Sequence, residues 1–455
     1  MTVEILLDLL EHGQSYWLDN LTRGMIRDGT LERRVSVEGL RGVTSNPAIF
    51  HKAIAASRDY DEQIQVLADE GASVERIYEA LVVTDIQEAC DVLRPVYDSS
   101  DAVDGYVSLE VSPYLVHDTA GSLEEARRLW AAVGRPNLMI KIPGTRAGVP
   151  AIEELLYEGI NVNVTLLFAV NAYEDVARAY MRALQRRAAE GKALDPVASV
   201  ASFFLSRIDV LVDALLAHHV TLSSDSPAAQ DLYGLAAVAS AKLAYRSYRA
   251  MAGENEWQAL ADAGARPQRL LWASTSTKNP LYDPVRYVEP LIGRDTVNTM
   301  PEVTIEAFAR SGQITTDSVE QGVEESERVF ADLARIGVDM TAVNEQLLAE
   351  GAQKFLDPFD ALLTGLAARR AEARQGRRVE VQEPADPPPG LAASLAALHE
   401  QRFASRLAAR DPSLWPGDPS VQGAIANRLG WTRGAADATA LLPELTEFAD
   451  EARAE

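Results

Sequence analysis

Short apolar runs recur from the N-terminus to about residue 345, each closed by polar or turn residues. Eight of them have the length and boundaries of strands buried on both faces. They are Gln14–Asp19, Gly39–Asn46, Tyr106–Val111, Asn137–Thr145, Ile160–Leu167, Val197–Phe203, Arg269–Ser274 and Thr296–Met300. Between most of them the apolar positions change to three- and four-residue spacing, which predicts helices over Glu124–Val133, Asn171–Glu190 and Leu232–Met251. Val319, Val323, Phe330 and Leu333 mark a later amphipathic helix, and the stretch Phe50–Asp98 reads as helical decoration between strands two and three. Strand–helix alternation implies parallel pairing with right-handed crossovers. Eight such units predict a closed β/α barrel with helical insertions rather than an open sheet. No internal repeat is evident.

The pattern breaks after about residue 370. Glu372–Arg378 is polar and Glu383–Gly390 is proline-rich, so residues 371–390 read as a linker, partly extended. Residues 391–455 predict a small, mostly helical tail: Leu391–Arg410 helical, Asp411–Pro419 a loop, Ala436–Ala454 acidic and helical. Such a tail buries little apolar surface on its own.

Composition narrows the function classes. The chain has 455 residues, 47% hydrophobic, which supports a packed core of one large domain and a small one. A formal net charge of -24 argues against a nucleic-acid partner, because phosphate backbones require a basic surface. Cys90 is the only cysteine, so a reducing, cytoplasmic setting is expected. The acidic start, with Glu4, Asp8 and Glu11, does not read as a secretory leader, and no apolar run is long enough for a membrane span. Six histidines and one cysteine without paired ligand spacing predict no metal site.

The strands carry polar cargo where a barrel gathers its chemistry, at their C-terminal ends. Asp19 closes strand one. Thr44, Ser45 and Asn46 close strand two. Glu110 sits inside strand three and Lys141 inside strand four. Asn163 and Thr165 share one face of strand five by the period of two. Ser202 and Arg207 flank the exit of strand six, with Phe204 between them; Ser274 sits at the exit of strand seven, followed by Lys278. A lysine at a strand end can simply reach out to solvent, and a lone buried acid is most often a cap or an ion-pair partner. Two acids and a lysine converging with hydroxyls and amides on one rim suit a polyhydroxylated ligand instead. A neutral lysine amine is a nucleophile that forms a Schiff base with a ketone. Arginine grips phosphate with a bidentate fork.

At this point the residues resemble a family. Gly42–Pro47, Ser108–Val111, Ile140–Pro143, Ile160–Phe168, Ser202–Arg207 and Trp272–Ser274 resemble, in order, the segments of transaldolases, over about residues 1–370. The resemblance implies a TIM barrel of class I aldolase type in the pentose phosphate pathway. It implies transfer of a dihydroxyacetone unit from sedoheptulose 7-phosphate to glyceraldehyde 3-phosphate, giving erythrose 4-phosphate and fructose 6-phosphate. Carried over, Lys141 would be the Schiff-base lysine and Asp19 the acid/base at the donor C4 hydroxyl. Glu110 would move protons through a water held with Thr165. Asn46 and Asn163 would hold substrate hydroxyls, while Ser202, Arg207 and Ser274 would grip the sugar phosphate near Phe204. The lysine iminium serves as the electron sink, so no metal or organic cofactor is required.

The chain departs from many relatives at Ser276, where they carry an arginine; Lys278 could supply the charge without the fork. Asp411–Trp415 and Asn427–Trp431 are similar to the junction of fused transaldolase/glucose-6-phosphate isomerase chains, but no isomerase activity is expected. Partners are small sugar phosphates, with the chain a monomer or homodimer. Two other readings stay open. One is a fructose-6-phosphate aldolase-type lyase, which Glu110 and Phe204 disfavour. The other is a non-catalytic sugar-phosphate-binding barrel.

Overall fold

Eight parallel strands close into a barrel in chain order: β1 (Gln14–Leu18), β2 (Gly42–Thr44), β3 (Tyr106–Glu110), β4 (Leu138–Pro143), β5 (Val162–Leu167), β6 (Ser199–Phe204), β7 (Arg269–Ala273) and β8 (Thr296–Met300). β1 pairs with β8 along its whole length, from Gln14 opposite Thr296 to Leu18 opposite Met300, and this contact closes the ring. The computed structural model describes residues 4–222 and 229–375, with isolated positions 397, 398, 403, 406 and 414 beyond. Every residue of the eight strands is buried. Helices cover the outside and side chains fill the inside, and this double burial makes the strands continuous apolar runs rather than alternating ones.

The expected strands all form, and the helices between them start or end within a few residues of the sequence pattern: Thr119–Val133, Val170–Ala189 and Ala236–Ala252. The decoration between β2 and β3 is three helices, Pro47–Ala56, Asp61–Asp69 and Val74–Ser99. The later amphipathic helix runs Val323–Arg335 after a 3₁₀ turn at Ser318–Glu320.

A long helix, Met340–Gln375, was not legible as such; it runs through Pro358 and crosses the expected boundary at residue 370. It packs on all three helices of the β2–β3 insertion and approaches β5. Gly351 permits that approach: a Cβ there would come within 3.0 Å of Leu166 Cδ2 and 3.4 Å of Arg207 Nη1. The helix thereby lies against the C-terminal end of the barrel, with Phe355, Phe359, Leu362 and Leu366 buried.

The chain divides into two compact units, Met1–Arg378 and Val379–Glu455. From residue 376 onward the expected linker and tail lie outside the described residues, apart from the isolated positions. Among the described residues no helix is long and apolar enough to cross a membrane.

Candidate active site

Parallel register sets Glu110 beside Lys141 and Lys141 beside Asn163, with Pro143 beside Thr165. Strands in a barrel turn alternate residues inward, so these side chains meet near the C-terminal mouth. Lys141 is 5% exposed. Its Nζ donates to the Ser45 carbonyl at 3.0 Å and to Glu110 Oε2 at 3.2 Å. Taking that pair out of water is costly unless its geometry and hydrogen bonds compensate. Burial pushes the Glu110 carboxyl above its ordinary range, opposed by Lys141 and then Arg207.

Asp19 follows β1 directly, its amide donating to the Met300 carbonyl at 2.9 Å. Thr44 Oγ1 lies 2.9 Å from Asp19 Oδ1 as donor and 2.7 Å from Thr299 Oγ1. Burial raises this carboxyl too; Lys141, the Thr44 hydrogen bond, Lys278 and Arg207 oppose the rise. Two carboxyls thus flank one amine, one in direct contact and one across the cavity floor.

Local backbone features aim the other groups. Asn46 caps the helix Pro47–Ala56, its Oδ1 accepting from the Ile49 amide at 3.0 Å. The β5–β6 register shifts between Val164 and Leu167, and Leu166 sits at φ 62°. Bulges of this kind re-aim side chains beside active sites. Here the bulge brackets Thr165, whose buried hydroxyl has no hydrogen-bond partner. Ser274 sits at φ 57°, a left-handed conformation that favours glycine, and its hydroxyl lies 2.9 Å from that of Ser206.

These side chains surround a cavity of about 350 Å³. Lys141, Asp19, Thr165, Thr44 and Thr299 line it together with Asn46, Ser202 and Phe204. Arg207, Ser274, Ser276, Lys278 and Lys52 also line it, with Arg207 and Lys52 both near enough to Lys278 to act on its charge. Arg207 packs its guanidinium 5.1 Å from the Phe204 ring centre and 5.5 Å from that of Phe355, and its buried Nη1 has no hydrogen-bond partner. Burial lowers the Arg207 pKa, opposed by Glu110 and Asp19. Lys278 is likewise lowered by burial and by Arg207, with Asp19 opposing. Cations held so close together with a free donor form a ready anion site.

Two of the sequence-derived residues stand behind the cavity wall. Asn163 is fully buried; its Nδ2 donates to Ser108 Oγ at 3.0 Å and its Oδ1 accepts from Ser202 Oγ at 2.7 Å. It therefore orients Ser202, which does line the cavity. Glu110 meets the cavity only through Lys141 and borders a second cavity on its other side. Sequence reasoning missed Phe355, Lys52 and Thr299. Phe355 reads as an ordinary core aromatic of a helix, Lys52 as a solvated helical lysine, and Thr299 as one more strand hydroxyl.

A family model described as transaldolase/fructose-6-phosphate aldolase matches residues 16–366. A protein named Transaldolase 2 from a Nostoc species is 48% identical over 375 residues, covering 81% of this chain and 98% of the relative. A transaldolase from Thiobacillus denitrificans is 50% identical over 361 residues, covering 79% and 99%. One from Mycobacterium bovis is 43% identical over 364 residues, covering 80% and 96%.

Proposed function

The chain belongs to the transaldolase/fructose-6-phosphate aldolase family, and from that premise we propose how it works. It is a transaldolase: it moves a dihydroxyacetone unit from sedoheptulose 7-phosphate to glyceraldehyde 3-phosphate through a Schiff base on Lys141. The reading is carried by one observation above all, a buried lysine amine that lines a polar cavity and lies 3.2 Å from a buried carboxylate behind it.

Lys141 transfers a proton to its partner Glu110, and the neutral amine attacks the ketose C2 carbonyl. The protons released from nitrogen pass by way of Glu110 to the former carbonyl oxygen, which leaves as water. The Thr165 hydroxyl, unpartnered and buried, is free to hold that water. The iminium then withdraws electrons from C3. Asp19 takes the C4 hydroxyl proton, the C3–C4 bond breaks, and the aldehyde departs. The remaining enamine attacks the carbonyl carbon of the second aldehyde, and Asp19 returns the proton. Unlike surroundings divide the two acids: Glu110 is tied to the amine, whereas Asp19 is held by Thr44 across the cavity.

Asn46 and Ser202 suit the hydroxyls of the three-carbon unit, with Asn163 behind Ser202. Arg207, Ser274, Lys278 and Lys52 suit the phosphate. Lys278 and Lys52 contribute the charge that an arginine at position 276 contributes elsewhere, as point charges rather than a fork. Nothing in this chemistry requires more than the chain itself and its substrates, which fits a cytoplasmic sugar-phosphate enzyme.

Transfer is distinguished from simple aldol cleavage by following both products. With fructose 6-phosphate as donor and erythrose 4-phosphate as acceptor, sedoheptulose 7-phosphate should form with little free dihydroxyacetone. Stoichiometric dihydroxyacetone would overturn the transferase reading in favour of a lyase.

A further inference from the structure

The Lys141–Glu110 pair stands between two cavities. Lys141 lines the sugar cavity; Glu110 lines a second one of about 320 Å³ outside β3, under the long helix. The second cavity has a mixed lining, the larger part of it apolar, with Tyr78, Ser112, Glu125 and Arg128 as polar members and exposed Glu75 and Tyr114 also on it. Polar groups of this kind give water its partners in a cavity, whereas a wholly apolar one stays dry. At a share of roughly 30 Å³ per molecule in the liquid, this one has room for a file of waters. One Glu110 oxygen, Oε2, accepts from Lys141 Nζ, and the same residue borders the outer cavity. The long helix separates the two spaces: Phe355 lines the sugar cavity, and Phe359, one turn on, lines the outer one against Tyr78 and Tyr114.

This arrangement meets a need of the chemistry. Condensation of Lys141 with a ketone expels one water, and hydrolysis takes one back. A ketose bound at Lys141 stands between that water and the mouth of the sugar cavity, and the outer cavity offers a second route. We propose that the outer cavity is a water conduit, through which the water released at Lys141 leaves past Glu110 and through which water returns for hydrolysis. The balance is simple: two protons leave the lysine nitrogen, both reach the carbonyl oxygen by way of Glu110, the C–O bond breaks, and one neutral water departs. The conduit carries no net charge. Glu110 keeps its place beside the amine, facing Lys141, Arg207 and Asp19 on the sugar side and Tyr78 on the other.

The inference rests on the Schiff-base reading above, and its test separates the two. The background is Asp19→Asn, in which the ketose forms its adduct but is not cleaved, so it continues to fill the sugar cavity. Fructose 6-phosphate carrying heavy oxygen at C2 is incubated with the full chain in ordinary water. Label loss from C2 is followed by mass spectrometry, and adduct formation is followed independently by borohydride trapping. Lys141→Ala supplies the spontaneous exchange. Val82→Phe and, independently, Leu363→Phe narrow the outer cavity from two different helices while leaving Glu110 itself unchanged.

The ratio of label lost to adduct formed should fall several-fold in both narrowed variants, with the recovered ketose retaining its label. An unchanged ratio in a folded variant overturns the conduit, even where both rates fall together. Absence of any trapped adduct in the Asp19→Asn parent would instead overturn the Schiff-base reading itself.

Discussion

Phe355 covers Lys141, its ring centre 5.7 Å from Nζ. The same ring lies 5.5 Å from the Arg207 guanidinium, so one aromatic side chain stands over both the amine and the phosphate end of the cavity. It comes from the long helix, more than two hundred residues from Lys141 along the chain. A wall of this kind limits water at the enamine, and the intermediate has to survive until the second aldehyde arrives.

Phe355→Leu should therefore alter partition more than rate. Less of the ring remains to exclude water and acid from the enamine. Free dihydroxyacetone, which appears when the enamine is protonated and hydrolysed, should increase relative to transfer product. The check is the ratio of the two products at saturating acceptor, with the rate of adduct formation little changed.

The acid limb of the activity profile should report Asp19. Its carboxyl is raised by burial, so the base required for C3–C4 cleavage is lost as pH falls through a value above the ordinary ~3.9. Lys278 is among the positive groups that oppose that rise. Lys278→Met removes one charge favouring the carboxylate and should move the acid limb of kcat/KM to higher pH. The same variant should raise KM for the phosphorylated substrates. A limb that stays in place would remove Asp19 from the role of base, or Lys278 from its neighbourhood.

Ser274 holds a left-handed backbone that costs a non-glycine residue on the order of 1–3 kcal/mol. Ser274→Gly should relieve that strain, leaving the thermal midpoint unchanged or higher. It also removes a hydroxyl from the phosphate end of the cavity, so KM for fructose 6-phosphate should increase by a factor of roughly ten, the worth of one hydrogen bond to a charged group. Opposite signs on stability and binding are the signature; a loss in both would mean that the Ser206 contact, not the ligand, explains the serine.

The sequence exposed the barrel because burial on both faces turns each strand into an uninterrupted apolar run, against which Lys141, Glu110 and Asn163 stand out as misplaced polar residues. Asp19, Thr165, Ser202 and Ser274 were visible for the same reason. Roles that depend on depth were not visible. Period-two alternation puts Asn163 and Thr165 on one face, yet only Thr165 reaches the cavity, because the bulge at Leu166 re-aims the chain there. Its place in the strand pattern makes Glu110 look like one of a ring of groups around the ligand, whereas it stands behind the lysine between two cavities. Phe355 was hidden because helical periodicity cannot separate an aromatic that packs in the core from one that roofs a site. The helix that carries it was obscured by Pro358 and by the polar residues beyond 370, which resemble the start of a linker until the packing of Leu362 and Leu366 is seen.

The most direct measurement is reductive trapping. The full chain is incubated with fructose 6-phosphate and sodium borohydride, digested, and mapped by mass spectrometry. One dihydroxyacetone- or ketose-derived mass increment should appear on the β4 peptide at Lys141, inactivation should follow its formation, and Lys141→Ala should show neither. An increment on another lysine, or catalysis that persists in Lys141→Ala, would contradict the assignment of the buried amine as the nucleophile.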